Sequence, residues 1–167
     1  MGRTTKPRKA HRPRALVNPI QRTITGVQLL SARDVAGQIH IARTALAELG
    51  RGRDTAHHWR SLADTANMAE SLCAIGIGSG AQAQRVIHQA QRALADIHQR
   101  TQQRATRALY AREVDALQWL ISLHQLQLQQ CSYSEFDAAF VATRNRIAQA
   151  RAGNAPRDAI VIEGEIA

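Results

Sequence analysis

A chain of 167 residues is long enough to bury a hydrophobic core without disulfides or metal ions, and a single domain is the expectation. Aromatic residues make up only 4%, so the core must be built from Leu, Ile, Val and Ala, and the richness in Ala, Gln, Arg and Leu favours closely packed helices. The net charge is +9, no apolar run approaches the length of about 18 residues that spans a bilayer, and the start of the chain lacks the apolar segment of a secretory signal. These features predict an all-α, cytoplasmic protein.

Arg3, Lys6, Arg8, Lys9, Arg12 and Arg14 give residues 1–14 a charge of +6 without a single acid, which is two thirds of the excess. Pro7 and Pro13 interrupt any regular helix there, and too few apolar residues are present to offset the entropy of ordering. Residues 1–17 therefore read as a flexible basic arm, residues 18–153 as one helical domain and residues 154–167 as a loose, acidic tail.

Six helices are predicted. Asn18-Pro19 is an N-cap followed by proline at the first helical position, opening a helix to about residue 30 with Ile20, Ile24, Val27 and Leu30 on its apolar side. Ser31 stands three residues before Asp34 in a capping-box-like start, and Val35, Ile39, Ala42, Leu46 and Leu49 recur at helical spacing up to Gly50. After a polar turn, Asp54 can cap a third helix carrying Trp59, Leu62, Ala66, Ala69 and Cys73 and ending near Ile75. Gly76-Ile77-Gly78-Ser79-Gly80 then breaks the chain. With no apolar strand before it and no Lys-Ser or Lys-Thr after it, this is a helix connection rather than a phosphate-binding loop. A long uninterrupted helix is expected from Ala81 to about Ala108, with Val86, Ala90, Leu94, Ile97 and Thr101 as its stripe. A fifth, from Leu109 to Gln130, carries the seam Val114, Leu117, Ile121, His124 and Leu128. Ser132 and Glu135 form another capping box, and Phe136, Phe140, Thr143 and Ile147 mark the inward face of the last helix, which ends at Gly153.

The side chains that could carry chemistry do not converge on an active site. Cys73 and Cys131 fall within helical apolar patterns as small buried hydrophobes, although spacing alone does not exclude a disulfide between them. His57 and His58 are adjacent and so point about 100° apart on a helix, whereas ligands from one helix need a spacing of three or four. His40 and His124 lie on separate segments, His88 and His98 are ten residues apart on the long helix, and His124 falls in the apolar seam. No nucleophile elbow or activated-cysteine signature is present. The expectation is a protein with no catalytic residues, metal or cofactor.

Arginines are more informative. Arg85, Arg92, Arg100, Arg104 and Arg107 project within an arc of about 120° beside the apolar stripe of the long helix, and Arg112 follows. Such a ridge pairs bidentately with phosphates or with an acidic protein surface, and the arm can extend the contact along a nucleic-acid backbone. A plain solvated face rich in Gln is the other reading. Neither a helix-turn-helix signature nor an aromatic RNA-binding sheet motif appears, so nucleic-acid contacts are expected to be to the backbone.

Several stretches resemble a family of small phage and prophage proteins of Gram-negative bacteria. They are the basic Lys6-Pro7-Arg8-Lys9 arm, Trp59-Arg60-Ser61-Leu62-Ala63-Asp64-Thr65-Ala66-Asn67-Met68-Ala69-Glu70, Gly76-Ile77-Gly78, and later Glu113, Leu117, His124, Gln127 and Leu128. The resemblance implies an accessory protein of a mobile element and carries no established activity. It also draws attention to Asn67 and Glu70, polar residues in the Trp59 helix, as candidates for a structural hydrogen bond or a partner contact. The function expected from these features is non-enzymatic binding of nucleic-acid backbone through the arm and the arginine face. The alternative is a protein-interaction module or inhibitor acting on a host defence nucleoprotein complex. Pairing of exposed apolar faces in a homodimer is a third possibility.

Overall fold

The structure, a computed structural model, describes Thr23 and residues 25–52, 56–104 and 108–152. Five helices are present among them: α1 (Ala32–Gly50), α2 (Ala56–Ala74), α3 (Ala81–Arg104), α4 (Ala111–Gln130) and α5 (Tyr133–Arg151). Around the bundle, α1 packs on α2, α2 on α3, α3 on α4 and α4 back on α1, so the four close a ring, with α2 and α4 also meeting across it. α5 lies against α2. The basic arm, Arg107 and the acidic tail lie outside the described residues.

α2 occupies the centre for a reason visible in its composition. Trp59, Leu62, Ala63, Ala66, Met68, Ala69 and Leu72 are all buried, and at 100° per residue they cover about 220° of the helix circumference, an arc that the buried Asn67 and Ser71 extend. The side that carries His57 and Asp64 stays exposed. A helix covered over so wide an arc needs several neighbours, and the alanines let them come close. The Trp59 indole N–H meets its hydrogen-bonding requirement inside the core by donating to the Leu94 carbonyl of α3 at 3.0 Å.

The expected first helix is corrected at its end. Thr23, Thr25 and Gly26 have helical backbone, but residues 27–30 leave the helix and run beside the α4–α5 junction, where Leu29 bridges Ser132 in antiparallel fashion. Leu30 N–H donates to Cys131 O at 2.9 Å and Tyr133 N–H to Gln28 O at 3.0 Å. Val27 is exposed, while Leu30 packs against the core. The short pairing wins because it satisfies backbone groups on both segments at a point where α1 and α5 each begin. Both starts carry the expected caps: Ser31 Oγ accepts from Asp34 N–H at 3.1 Å, and Ser132 Oγ accepts from Glu135 N–H at 3.4 Å while Glu135 accepts from Ser132 N–H at 2.8 Å. The Ser31 hydroxyl in turn donates to the Asp34 carboxylate and the Ser132 hydroxyl to the Glu135 carboxylate, each at 2.6 Å, and these bonds hold both carboxyls below their usual range. Tyr133 OH also donates to Asp34, tying the first turns of α5 and α1 together.

The expected inward face of α5 is also rotated. Ala139 and Thr143 are buried and Phe136 packs partly on the core, but Phe140 is 50% exposed. The hydroxyl of Thr143 lies 2.7 Å from that of Ser71 on α2, and Arg146 donates to the Asn67 carbonyl at 2.9 Å and pairs with Glu70 at 3.0 Å. A hydrogen-bonded face therefore sets the roll of α5, and the larger Phe140 ring is carried to the rim. Glu70 serves this structural contact through its carboxylate, which also accepts from Gln91 of α3 at 2.8 Å, whereas Asn67 enters it through its backbone carbonyl.

Gln127 holds the glycine-rich connection between α2 and α3. Its side-chain amide is fully buried and donates to Ala69 O at 3.0 Å, Ile77 O at 3.1 Å and Cys73 Sγ at 3.2 Å. Gly78 has φ +58°, and a Cβ there would sit 2.7 Å from Gln127 Cγ, whereas Gly76, at φ +96°, has open space around it. Gly76→Ala should lose only the backbone term of about 1 to 2 kcal/mol. Gly78→Ala should lose more, since it also displaces Gln127. Equal losses in urea titration would show that the Gln127 contact contributes nothing.

Candidate nucleic-acid interface

The arginine face of α3 divides on folding. Arg85 and Arg92 are exposed, but Arg100 turns toward the neighbouring helix, where its side chain retains only 12% of its exposure. It forms a bidentate pair with Glu113 of α4, Nη1 to Oε1 and Nη2 to Oε2 both at 2.8 Å, and donates a further hydrogen bond to Ala108 O at 2.9 Å. Glu113 is 1% exposed and also accepts from Tyr110 N–H at 2.8 Å, closing the first turn of α4. A carboxylate this deeply buried needs a cation, and Arg100 stands at the edge of the α3 stripe where it can reach it. Its guanidinium also lies 4.4 Å from the Tyr110 ring centroid. Arg100 is thus committed to the fold and leaves the free part of the ridge. Arg104 ends α3, and Arg107 lies outside the described residues.

In its place the tertiary structure supplies an aromatic residue and another arginine. Trp119 of α4 is 67% exposed and lines a cleft of about 430 Å³ between α3 and α4 together with Arg92, Arg112 and Gln89. Asp96, Asp115 and the Arg100-paired Glu113 line the same cleft, so two cations and three acids share it with the indole. Trp119 follows the seam residue Leu117 by two positions and therefore projects about 200° away from it, onto the outer face of α4. That offset was readable as an aromatic residue on an otherwise polar face, but nothing in the sequence placed it opposite Arg92.

The remaining candidates stay apart. Cys73 and Cys131 are free thiols, and burial raises both, Cys131 to about 11, so neither is an activated thiolate at neutral pH. Among the described residues no three His, Cys, Asp or Glu side chains cluster as metal ligands would, and no helix is long and apolar enough to cross a membrane. His98 stacks near Trp59, with ring centroids 5.1 Å apart. His124 is 4% exposed, and burial drives its pKa down to about 4. No protein-family model, curated protein or solved structure matches this chain.

Two stability measurements follow. Glu113→Ala leaves Arg100 buried without its partner and should remove about 3 to 5 kcal/mol, whereas Arg100→Met with Glu113→Leu should lose much less; urea titration of both variants gives the comparison. For His124 the unfolded chain binds the proton more tightly than the folded one. Stability should therefore fall as pH drops from about 6.5 toward 4, by on the order of 3 kcal/mol in all, and this component should be flat above and below that window. His124→Phe should flatten the corresponding part of the stability profile; an unchanged profile would remove His124 as its source.

Proposed function

We propose that the protein binds single-stranded nucleic acid without strong sequence preference, as an accessory protein of a mobile element. The observation that carries the reading is the exposed Trp119 indole beside Arg92 and Arg112, on a chain whose net charge is +9. Single-stranded nucleic acids bind where a base can stack on an aromatic face while nearby cations meet the phosphates, and every base has a face to stack. Arg85 extends the cationic surface along α3, and the arm carrying Arg3, Lys6, Arg8, Lys9, Arg12 and Arg14 adds charge that can follow the backbone. Asp96 and Asp115 oppose phosphate at the cleft itself, which limits the affinity contributed there and gives the arm the larger electrostatic share.

The two tryptophans make the test direct. Trp59 is buried against α3 and Trp119 is exposed, so quenching of tryptophan emission by an oligothymidine should report the exposed site. Trp119→Phe should weaken binding less than Trp119→Ala, which removes stacking worth about 1 to 3 kcal/mol per base and should cost roughly tenfold in affinity. Arg92→Gln with Arg112→Gln should lower the slope of log affinity against log salt by about 0.7 for each phosphate no longer neutralised. Deleting residues 1–14 should lower it further. Full retention of binding in Trp119→Ala would sink the stacking site, and capture of a host protein that survives nuclease treatment, with no oligonucleotide binding, would favour the interaction module instead.

A further inference from the structure

Phosphate binding does not explain the acids of the Trp119 cleft, because they oppose it. Two of the three are engaged with Arg100. Glu113 holds it in the bidentate pair, and Asp96, one turn before it on α3, adds to the negative field that Glu113 sets around the guanidinium. Asp115 differs from both. It is exposed, and among the described residues it has neither an ion pair nor a hydrogen bond, although Arg92 and Arg112 line the same cleft.

Helical spacing places Asp115 beside the indole. Arg112, Asp115 and Trp119 follow one another in steps of three and four, so they form one stripe along α4, and Asp115 is about 6 Å from Trp119 along the axis. A helical side chain leans over the turn N-terminal to its own Cα, which carries the indole toward Asp115. A base laid on the exposed indole therefore meets a carboxylate at its edge, with Arg92 and Arg112 in the same cleft of about 430 Å³.

Which base suits this position follows from the chemistry of a carboxylate, which accepts hydrogen bonds and cannot donate them. On the edge used for base pairing, guanine alone sets two donors side by side, N1–H and the 2-amino group, so both carboxylate oxygens accept at once. Thymine offers a single N–H between two carbonyls. Adenine and cytosine each offer an amino group beside a ring-nitrogen acceptor, which turns a lone pair toward the second oxygen. We infer that the cleft selects guanine: the base stacks on Trp119 and donates N1–H and its 2-amino group to Asp115, while Arg92 and Arg112 meet the flanking phosphates. This rests on the proposed binding of single strands and adds to it a preference at one nucleotide, the rest of the strand being held without regard to sequence.

The test uses the full chain and labelled oligothymidine strands that carry thymine, guanine, hypoxanthine or 7-deazaguanine at one central position. Anisotropy titration should show the guanine strand bound about tenfold more tightly than the all-thymine strand, the discrimination of one bidentate pair on a base edge. Hypoxanthine, which lacks the 2-amino group, should lose most of that gain. 7-Deazaguanine keeps the donor edge and lacks only N7, so it should retain the gain. Asp115→Asn puts an amide donor where an acceptor is needed and should erase the guanine preference; it should also tighten binding of the all-thymine strand slightly, because an acid that repels phosphate is gone. Those opposite effects separate a reader of the base from a residue that merely supports the fold. Equal affinity for the guanine and thymine strands would overturn the inference and leave single-strand binding standing, whereas failure of every strand to bind would overturn both. A preference lost with 7-deazaguanine, or kept in Asp115→Asn, would place the readout on another group and overturn the inference as well.

Discussion

Helix α2 is buried over most of its circumference, and the architecture answers that constraint. Its apolar residues span about 220° around the axis, with Asn67 and Ser71 buried beside them, so α1, α3, α4 and α5 all pack on it, and its alanines permit the close approach that this needs. Enclosure on this scale buries polar groups as well. Most of those find a partner, which converts a nonspecific requirement for burial into particular contacts between helices. Ser71 meets Thr143, the Asn67 carbonyl receives Arg146, and Glu70 receives Gln91. The position of α5 and the register of α3 against α2 are set where those partners coincide.

The same logic governs α4. Glu113, His124 and Gln127 all lie on its buried face, and each meets a different fate. Glu113 is paired with Arg100, and breaking that pair would leave a charge stranded in the interior. Gln127 spends its amide on the α2–α3 connection, which explains why that connection is compact although it contains three glycines. His124 is held neutral by burial on the same face.

The Trp119 cleft is polar and electrically mixed, with its aromatic group presented outward. One helix, α4, thus displays Trp119 on its exposed side and keeps Glu113, His124 and Gln127 on its buried one.

Much of the fold was legible in the sequence because helical periodicity and capping are local. Ser31 with Asp34, Ser132 with Glu135, and the glycines from Gly76 onward marked helix boundaries that the structure retains within a few residues. What lay beyond reach was the identity of the partner across a helix interface. Arg100 and Arg92 belong to one sequence-defined arc, yet only the placement of Glu113 determines that the first is consumed by the core and the second stays exposed. Phe140 is the more hydrophobic choice for an inward face, but the Thr143–Ser71 contact rolls α5 so that Ala139 is buried instead. Residues 27–30 carry apolar side chains compatible with a helix, but pairing with the α4–α5 junction satisfies their backbone differently. Local sequence therefore determined which segments are helical and where they stop. Tertiary structure decided how each helix is rolled, because burial and hydrogen bonding between distant residues depend on which groups the other helices present.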